Sequence, residues 1–266
     1  MIKIIFIADI VGKIGRKAVA EYLPKLKKQY QPDLVIANAE NLAHGIGFTR
    51  KTLDEMREVG VDFFTSGNHA WKKAGSDEVL DDKNFPIIRP DNYADKRSGV
   101  GYRAIKIGVN KLIVVNLLGQ VFITDDLLSP FQSMEKVLKK EKEAIFIVDF
   151  HGEATSEKIA FAQYFNGKIA AVIGTHTHVL TADARILSSG TGFITDAGMV
   201  GYYDSIIGAD KGQIFNLFLS SGKSSKKHDL PEVGECLFNG VYLEVDEKSA
   251  QTVKIKAINK VINIKK

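Results

Sequence analysis

The sequence predicts an α/β fold of layered sheets and helices, and three observations carry that prediction. Strand-like apolar runs alternate with segments of helical spacing from residue 2 to about residue 174. Those runs are apolar almost without a break, as in strands covered on both faces. Beyond Gly192 strand patterns dominate, which predicts a second sheet packed against the first.

Residues 2–8 form the first run, rich in isoleucine and interrupted only by Lys3. Ala18, Val19, Tyr22, Leu23 and Leu26 mark one face of a helix over 16–30. Strands are expected at 34–37 and 63–65. Between them, Thr49 reads as an N-cap for a helix running to Val59, and Gly60 as its stop. Further strands are expected at 111–118, 144–149 and 170–174. Ser129-Pro130 opens a helix to about Glu143, as a cap residue followed by proline at the first helical position. A helix covers 155–165, and another lies near 212–219. The remaining strands are expected at 193–195, 241–245 and 253–258.

No repeat, low-complexity stretch or clear linker divides the 266 residues, so one domain over 1–266 is expected. The Gly/Ser/Lys segment 220–227 is the best candidate for a flexible loop. A chain of this length with 45% hydrophobic residues buries a core without structural metals. A cluster of metal-type residues therefore calls for a chemical explanation. The net charge of +4 is small and the lysines are scattered, which argues against a nucleic-acid groove. The single cysteine, Cys236, cannot form an internal disulfide; it reads as a half-buried thiol in a reducing, cytoplasmic setting. No apolar run is long enough to span a bilayer, and Asp9 ends the first run too early for a signal peptide.

The chemistry-bearing residues follow strand ends, where open α/β sheets form their ligand crevices. They are Asp9, Glu40-Asn41, Gly67-Asn68-His69, Asp149-Phe150-His151 and Gly174-Thr175-His176-Thr177-His178. Four of the six histidines fall at these ends, with His44 and His228 elsewhere. Imidazole, carboxylate and amide oxygen together make a mixed nitrogen–oxygen donor set for metal ions. If the backbone stays extended, His176 and His178 point the same way and grip one metal cluster. Glu40, just past a buried strand, would be costly to leave unpaired.

This ordered set resembles the calcineurin-like metallophosphoesterase superfamily. The stretches 149–158, 174–182 and 195–199 are similar to one branch of it, the YmdB-like bacterial cyclic-nucleotide phosphodiesterases. The resemblance implies a four-layer α-β-β-α sandwich of two mixed β-sheets flanked by helices. It implies Asp9, Glu40, Asn41 and His178 around one metal ion, and Glu40, Asn68, His151 and His176 around a second, with Glu40 bridging. The superfamily usually carries Asp-x-His at its first motif; here Asp9 is followed by Ile10 and Val11, and Asn41 takes the vacant ligand position. Tyr202, Lys72 and Gln120 stand where the branch usually has proline, an acidic residue and arginine, which bears on substrate preference.

The function expected from these residues is hydrolysis of a phosphodiester in a small nucleotide, 2',3'- or 3',5'-cyclic. A hydroxide bridging two divalent ions attacks phosphorus, and His69 acts as general acid. Iron or manganese is favoured by the resemblance, with zinc also compatible. A homo-oligomer is expected from the same source. The competing expectations are a nucleotidase or other phosphomonoesterase, a nuclease, and a regulatory protein that senses a nucleotide without cleaving it.

Overall fold

The structure, a computed structural model, describes residues 1–219 and 231–265. The segment 220–227 expected to be a flexible loop, and His228, lie outside the described residues. In chain order the first elements are β1 (Ile2–Ile7), β2 (Asp9–Ile10), α1 (Gly12–Tyr30), β3 (Leu34–Asn38), α2 (Arg50–Val59), β4 (Phe63–Thr65) and α3 (Ser76–Asp81). Next come β5 (Tyr102–Ile107), β6 (Asn110–Leu118), α4 (Pro130–Lys140), β7 (Ile145–His151), α5 (Thr155–Tyr164) and β8 (Ala171–Thr175). The last are β9 (Arg185–Ile186), β10 (Gly192–Ile194), β11 (Met199–Tyr202), α6 (Lys211–Leu219), β12 (Gly234–Val245) and β13 (Thr252–Ile264).

Two mixed sheets result. The first has seven strands in the order β2-β11-β12-β1-β3-β4, with β13 on the other edge of β12. The second has six, in the order β5-β6-β7-β8-β10-β9. Strand alternation sorts their side chains into layers. Ile5 and Ile7 of β1 join Ile14, Ala18 and Leu23 of α1 and Leu53 and Met56 of α2 in one core. Ile2, Ile4 and Phe6, on the opposite face of β1, meet Leu112, Val114, Ile145 and Ile147 between the sheets. Phe146, Val148 and Phe150, the other face of β7, pack on Met134 and Val137 of α4 and Phe161 of α5. Helix, sheet, sheet and helix thus stack in four layers, as the resemblance implies.

The expected caps are present. Thr49 accepts from the Thr52 amide in a reciprocal capping box, and Gly60 closes α2 in the left-handed region at φ 103°. Ser129 accepts from the Gln132 amide ahead of Pro130. Helix α1 starts at Gly12 rather than at 16, because the Gly12 amide donates to the Asn41 carbonyl at 3.0 Å. Helix α4 ends at Lys140 rather than near 143, where Glu143 has turned to φ 54°. Strands β12 and β13 run well beyond 241–245 and 253–258, as a long antiparallel pair. Edge strand β5 was not anticipated, since its burial and charge alternate too weakly to stand out.

Cys236 is fully buried rather than half-buried; β12 turns its thiol inward to donate to the Gly201 carbonyl at 3.0 Å. Burial pushes this thiol up to about 12. The native protein is therefore expected to stay unreacted with dithionitrobenzoate at pH 8 and to release one equivalent of thionitrobenzoate once guanidinium unfolds it. Rapid labelling without denaturant would contradict the burial. Among the described residues, no helix is long and apolar enough to cross a membrane.

Candidate metal centre

The ends of β1, β3, β4, β7 and β8 converge so that Asp9, Glu40, Asn41, His69, His151, His176 and His178 lie in contact with one another, while Asn68 precedes His69 in the chain. Asp9 does not lie in a loop; it opens β2, which pairs with β11 at Met199. The Asp9 carboxylate is fully buried, and its Oδ2 accepts from the His176 amide at 3.3 Å. Its Oδ1 lies 3.8 Å from His178 Nε2. Burial raises the Asp9 pKa above the ordinary carboxylate range, against the pull of His178 and His151.

Glu40 sits at the centre. Asn38 shapes its turn, with Oδ1 accepting from the Glu40 amide at 2.9 Å. Glu40 Oε1 lies 3.0 Å from His69 Nδ1, and Oε2 lies 3.1 Å from His151 Nε2. Burial works against the charge on Glu40, but His151 and His69 together hold its pKa well below the ordinary range. The same pairing raises His151 to about 9 despite its own burial. Burial next to His151 lowers His176 to about 3.

Each of three histidines has one ring nitrogen engaged outside the cluster and the other turned into it. His151 Nδ1 meets Thr175 Oγ1 at 2.8 Å, leaving Nε2 toward Glu40. The Thr175 hydroxyl donates to Asp149 Oδ1 at 2.6 Å, so its oxygen is the acceptor for His151. His178 Nδ1 meets the Ile207 carbonyl at 2.7 Å, leaving Nε2 toward Asp9 and Asn41. His176 Nε2 lies 3.1 Å from Glu153 Oε2, leaving Nδ1 at 3.1 Å from His151 Nε2. An oxygen behind each ring with the other nitrogen turned inward is the arrangement of metal-ligating histidines, whose inward nitrogen gives up its proton when an ion binds.

The oxygens fit as well. Asp9 Oδ1, Glu40 Oε2 and Asn68 Oδ1 are buried without a hydrogen-bond partner. Glu40 Oε2 is close to His151 but off hydrogen-bond alignment. Each orphaned acceptor costs about 1–3 kcal/mol, a cost that a cation held beside it would relieve. Glu40, His151 and His176 each bring a ligand atom within 4.8 Å of the others. Asn41 departs in one detail: its Nδ2 faces His178 Nε2 at 3.0 Å and its Oδ1 faces His69 at 3.4 Å. A half-turn of the amide, which keeps the same atomic positions, presents the oxygen to the His178 side.

The expectation that His176 and His178 share a face through strand alternation is not met. Strand β8 ends at Thr175, and His176 and His178 adopt φ 102° and 63°. The bend sends the two rings to opposite sides of the site, His176 toward His151 and His178 toward Asp9.

A family model described as YmdB-like protein matches residues 5–258. The chain is 40% identical over 265 residues to a 2',3'-cyclic-nucleotide 2'-phosphodiesterase of Bacillus subtilis, covering 96% of both chains. The chain belongs to the YmdB-like family.

Solved structures agree with this membership. A phosphatase of Mycoplasma pneumoniae is 37% identical and superposes with a TM-score of 0.92, over 99% of this chain and 94% of that one. The NAD nucleotidase of Haemophilus influenzae, at 14% identity and TM-score 0.56 over 98% of this chain and 56% of that one, shares the fold alone.

In this family member several supporting residues had no role assigned from sequence. Asp149 is fully buried and accepts from Thr175, from Thr65 Oγ1 at 2.5 Å and from Asn38 Nδ2 at 2.9 Å. Burial raises its pKa to about 6 in spite of these donors. Lys158, also fully buried, donates to the Thr175 carbonyl at 2.8 Å and to Asp196 Oδ2 at 2.7 Å. One signal was available: Lys158 shares the helical face of Phe161, Ala162 and Phe165, where a lysine is out of place. Of the atypical residues, Lys72 is exposed, Tyr202 packs against the first core, and Gln120 lies at the rim, one residue past the Gly119 amide that donates to the His151 carbonyl.

Proposed function

We propose that this protein is a two-metal phosphodiesterase that opens a cyclic nucleotide, 2',3' or 3',5'. By homology the chain is a phosphodiesterase/phosphatase hydrolase. The observation that carries the metal reading is that Asp9 Oδ1 and Glu40 Oε2, both buried without a hydrogen-bond partner, lie 3.8 Å from His178 Nε2 and 3.1 Å from His151 Nε2, with a His176 nitrogen in the same cluster as Glu40 and His151. Asp9, Glu40, Asn41 and His178 would hold one divalent ion; Glu40, Asn68, His151 and His176 the other. Iron and manganese suit this donor set, as does zinc. When bound, such ions make water a nucleophile at neutral pH and neutralise charge on the phosphate oxygens.

The chain's own residues do the rest. The Glu40 carboxylate, with Oε1 3.0 Å from His69 Nδ1, holds the ring in place. The side chain of His69 is 26% exposed, so it is open to the substrate side. Its Nε2 is the atom that hands a proton to the leaving alkoxide. The similarity to a 2',3'-cyclic-nucleotide 2'-phosphodiesterase of Bacillus subtilis favours the 2',3'-cyclic substrate.

Two variants test the assignment. Glu40→Ala is expected to lose metal content and hydrolysis of bis-p-nitrophenyl phosphate together. His69→Ala is expected to keep both ions while turnover falls by about 10²–10⁴-fold. Undiminished turnover by metal-depleted protein would refute the two-metal reading, and metal loss in His69→Ala would make that residue a ligand. Faster hydrolysis of the monoester than of the diester would favour a phosphomonoesterase.

A further inference from the structure

We propose that Glu153 is the positioning residue for His176: it holds the ring through Nε2 so that Nδ1 faces the second metal position. This deepens the two-metal reading and rests on it. Glu153 belongs to neither expected ligand group, and nothing in the reaction requires it as an acid or base. Its carboxylate lies 3.1 Å from His176 Nε2, on the side of the ring away from His151 and Glu40.

The need for such a holder comes from the backbone. His176 sits at φ 102°, a conformation costly for a residue with a side chain. Its ring is 25% exposed, so packing alone leaves it less constrained than the fully buried His151. Of the three histidines turned into the cluster, His151 has a buried hydroxyl behind it and His178 a carbonyl. His176 alone has a carboxylate, which accepts a charge-assisted bond from an N–H.

The carboxylate is itself delivered by a rigid connection. The Gly152 amide donates to the Thr175 carbonyl at 3.3 Å, and Lys158 Nζ donates to the same oxygen. Glu153 is therefore anchored, one residue after Gly152, to the residue that precedes His176. On its other side Ala154 opens α5. The distance between carboxylate and ring is set by main chain on both sides, not by a free loop. With Nε2 carrying the proton donated to Glu153, the lone pair falls on Nδ1, which faces His151 Nε2 and Glu40.

The test compares Glu153→Ala and Glu153→Gln with the unaltered protein. The Glu153 side chain is 49% exposed, so both replacements leave the cores untouched. Zn²⁺ is titrated against a fluorescent competing chelator, and the His176 tautomer is read by ¹⁵N NMR on the zinc-loaded protein. In Glu153→Ala one of the two zinc sites is expected to weaken about 10–100-fold, the other staying unchanged, with loss of the single Nε2–H tautomer. Glu153→Gln keeps an acceptor oxygen, so it is expected to restore the tautomer and most of the affinity. Equal zinc affinities in Glu153→Ala and the unaltered protein would overturn the proposal. So would equal weakening of both sites, or a Glu153→Gln protein as weak as Glu153→Ala, which would mean that the carboxylate acts on the ion directly and not by holding the ring. Failure of the unaltered protein to take up two ions would instead overturn the two-metal reading, and this assignment with it.

Discussion

Gly67→Ala is expected to weaken metal uptake and phosphodiester hydrolysis together, although it adds a single methyl group. A Cβ on Gly67 would stand 1.5 Å from Glu40 Oε2 and 2.5 Å from His151 Nε2. Neither neighbour can retreat. Glu40 is 1% exposed with its other oxygen set against His69, and His151 is fully buried with Nδ1 held by Thr175. Gly67 lacks the positive φ that would make glycine a backbone requirement, so at an open position alanine would stabilise the chain by about 0.4–1 kcal/mol. The expected sign is the reverse. On the two-metal proposal the methyl group occupies the space between two ligand atoms, and hydrolysis should fall by about 10–100-fold. Elemental analysis and a bis-p-nitrophenyl phosphate assay on the same preparation check it. Two bound ions with normal turnover would mean that Glu40 Oε2 and His151 Nε2 do not face a shared metal position.

Much of the site is legible in the sequence because its residues follow strands. Asp9, Glu40, Asn68 and His69 each follow a hydrophobic run, and the parallel strands β1, β3 and β4 deliver their C-terminal ends to one edge of the first sheet. His151 ends β7 of the second sheet, so the packing of the two sheets is needed to bring it to them. Sequence carries less about what happens beyond the strand. Alternation carried through His178 would put both histidines on one face, but β8 stops at Thr175 and the chain bends with two positive φ angles, so the two histidines diverge. The rings still reach the cluster, through contacts with Glu153 and Ile207 that lie 23 and 29 residues away in sequence. Such pairings have no periodicity and no local composition. Thr175 and Asp149 were visible as residues near the site, yet their hydrogen bonds to His151 and to each other follow from the sheet register, in which His151 pairs with Thr175.

Lys158→Met is expected to be the most destabilising single replacement outside the metal position, and its effect should reach the site. The Lys158 ammonium has no contact with water and two acceptors, the Thr175 carbonyl and Asp196 Oδ2. Asp196 is equally buried, and its Oδ2 also accepts from the Thr177 amide at 3.0 Å. The pair therefore grips the chain on both sides of His176. Burying two charges gains little net stability when they are matched, but removing one partner leaves the other uncompensated at a cost of about 3–5 kcal/mol. At about 2–4 °C per kcal/mol for a chain near this size, the melting temperature should drop by about 6–20 °C. Calorimetry on the purified variant reads that drop. Joining it with Asp196→Asn removes the stranded charge, and most of the lost stability should return. Zinc affinity should not return with it, because the ammonium that tied the Thr175 carbonyl to the Thr177 amide is still gone. If zinc binding recovered in step with the melting temperature, the buried pair would serve stability alone; if Lys158→Met melted within about 1 kcal/mol of the original, well below the cost of a stranded charge, the pair would not be held as described.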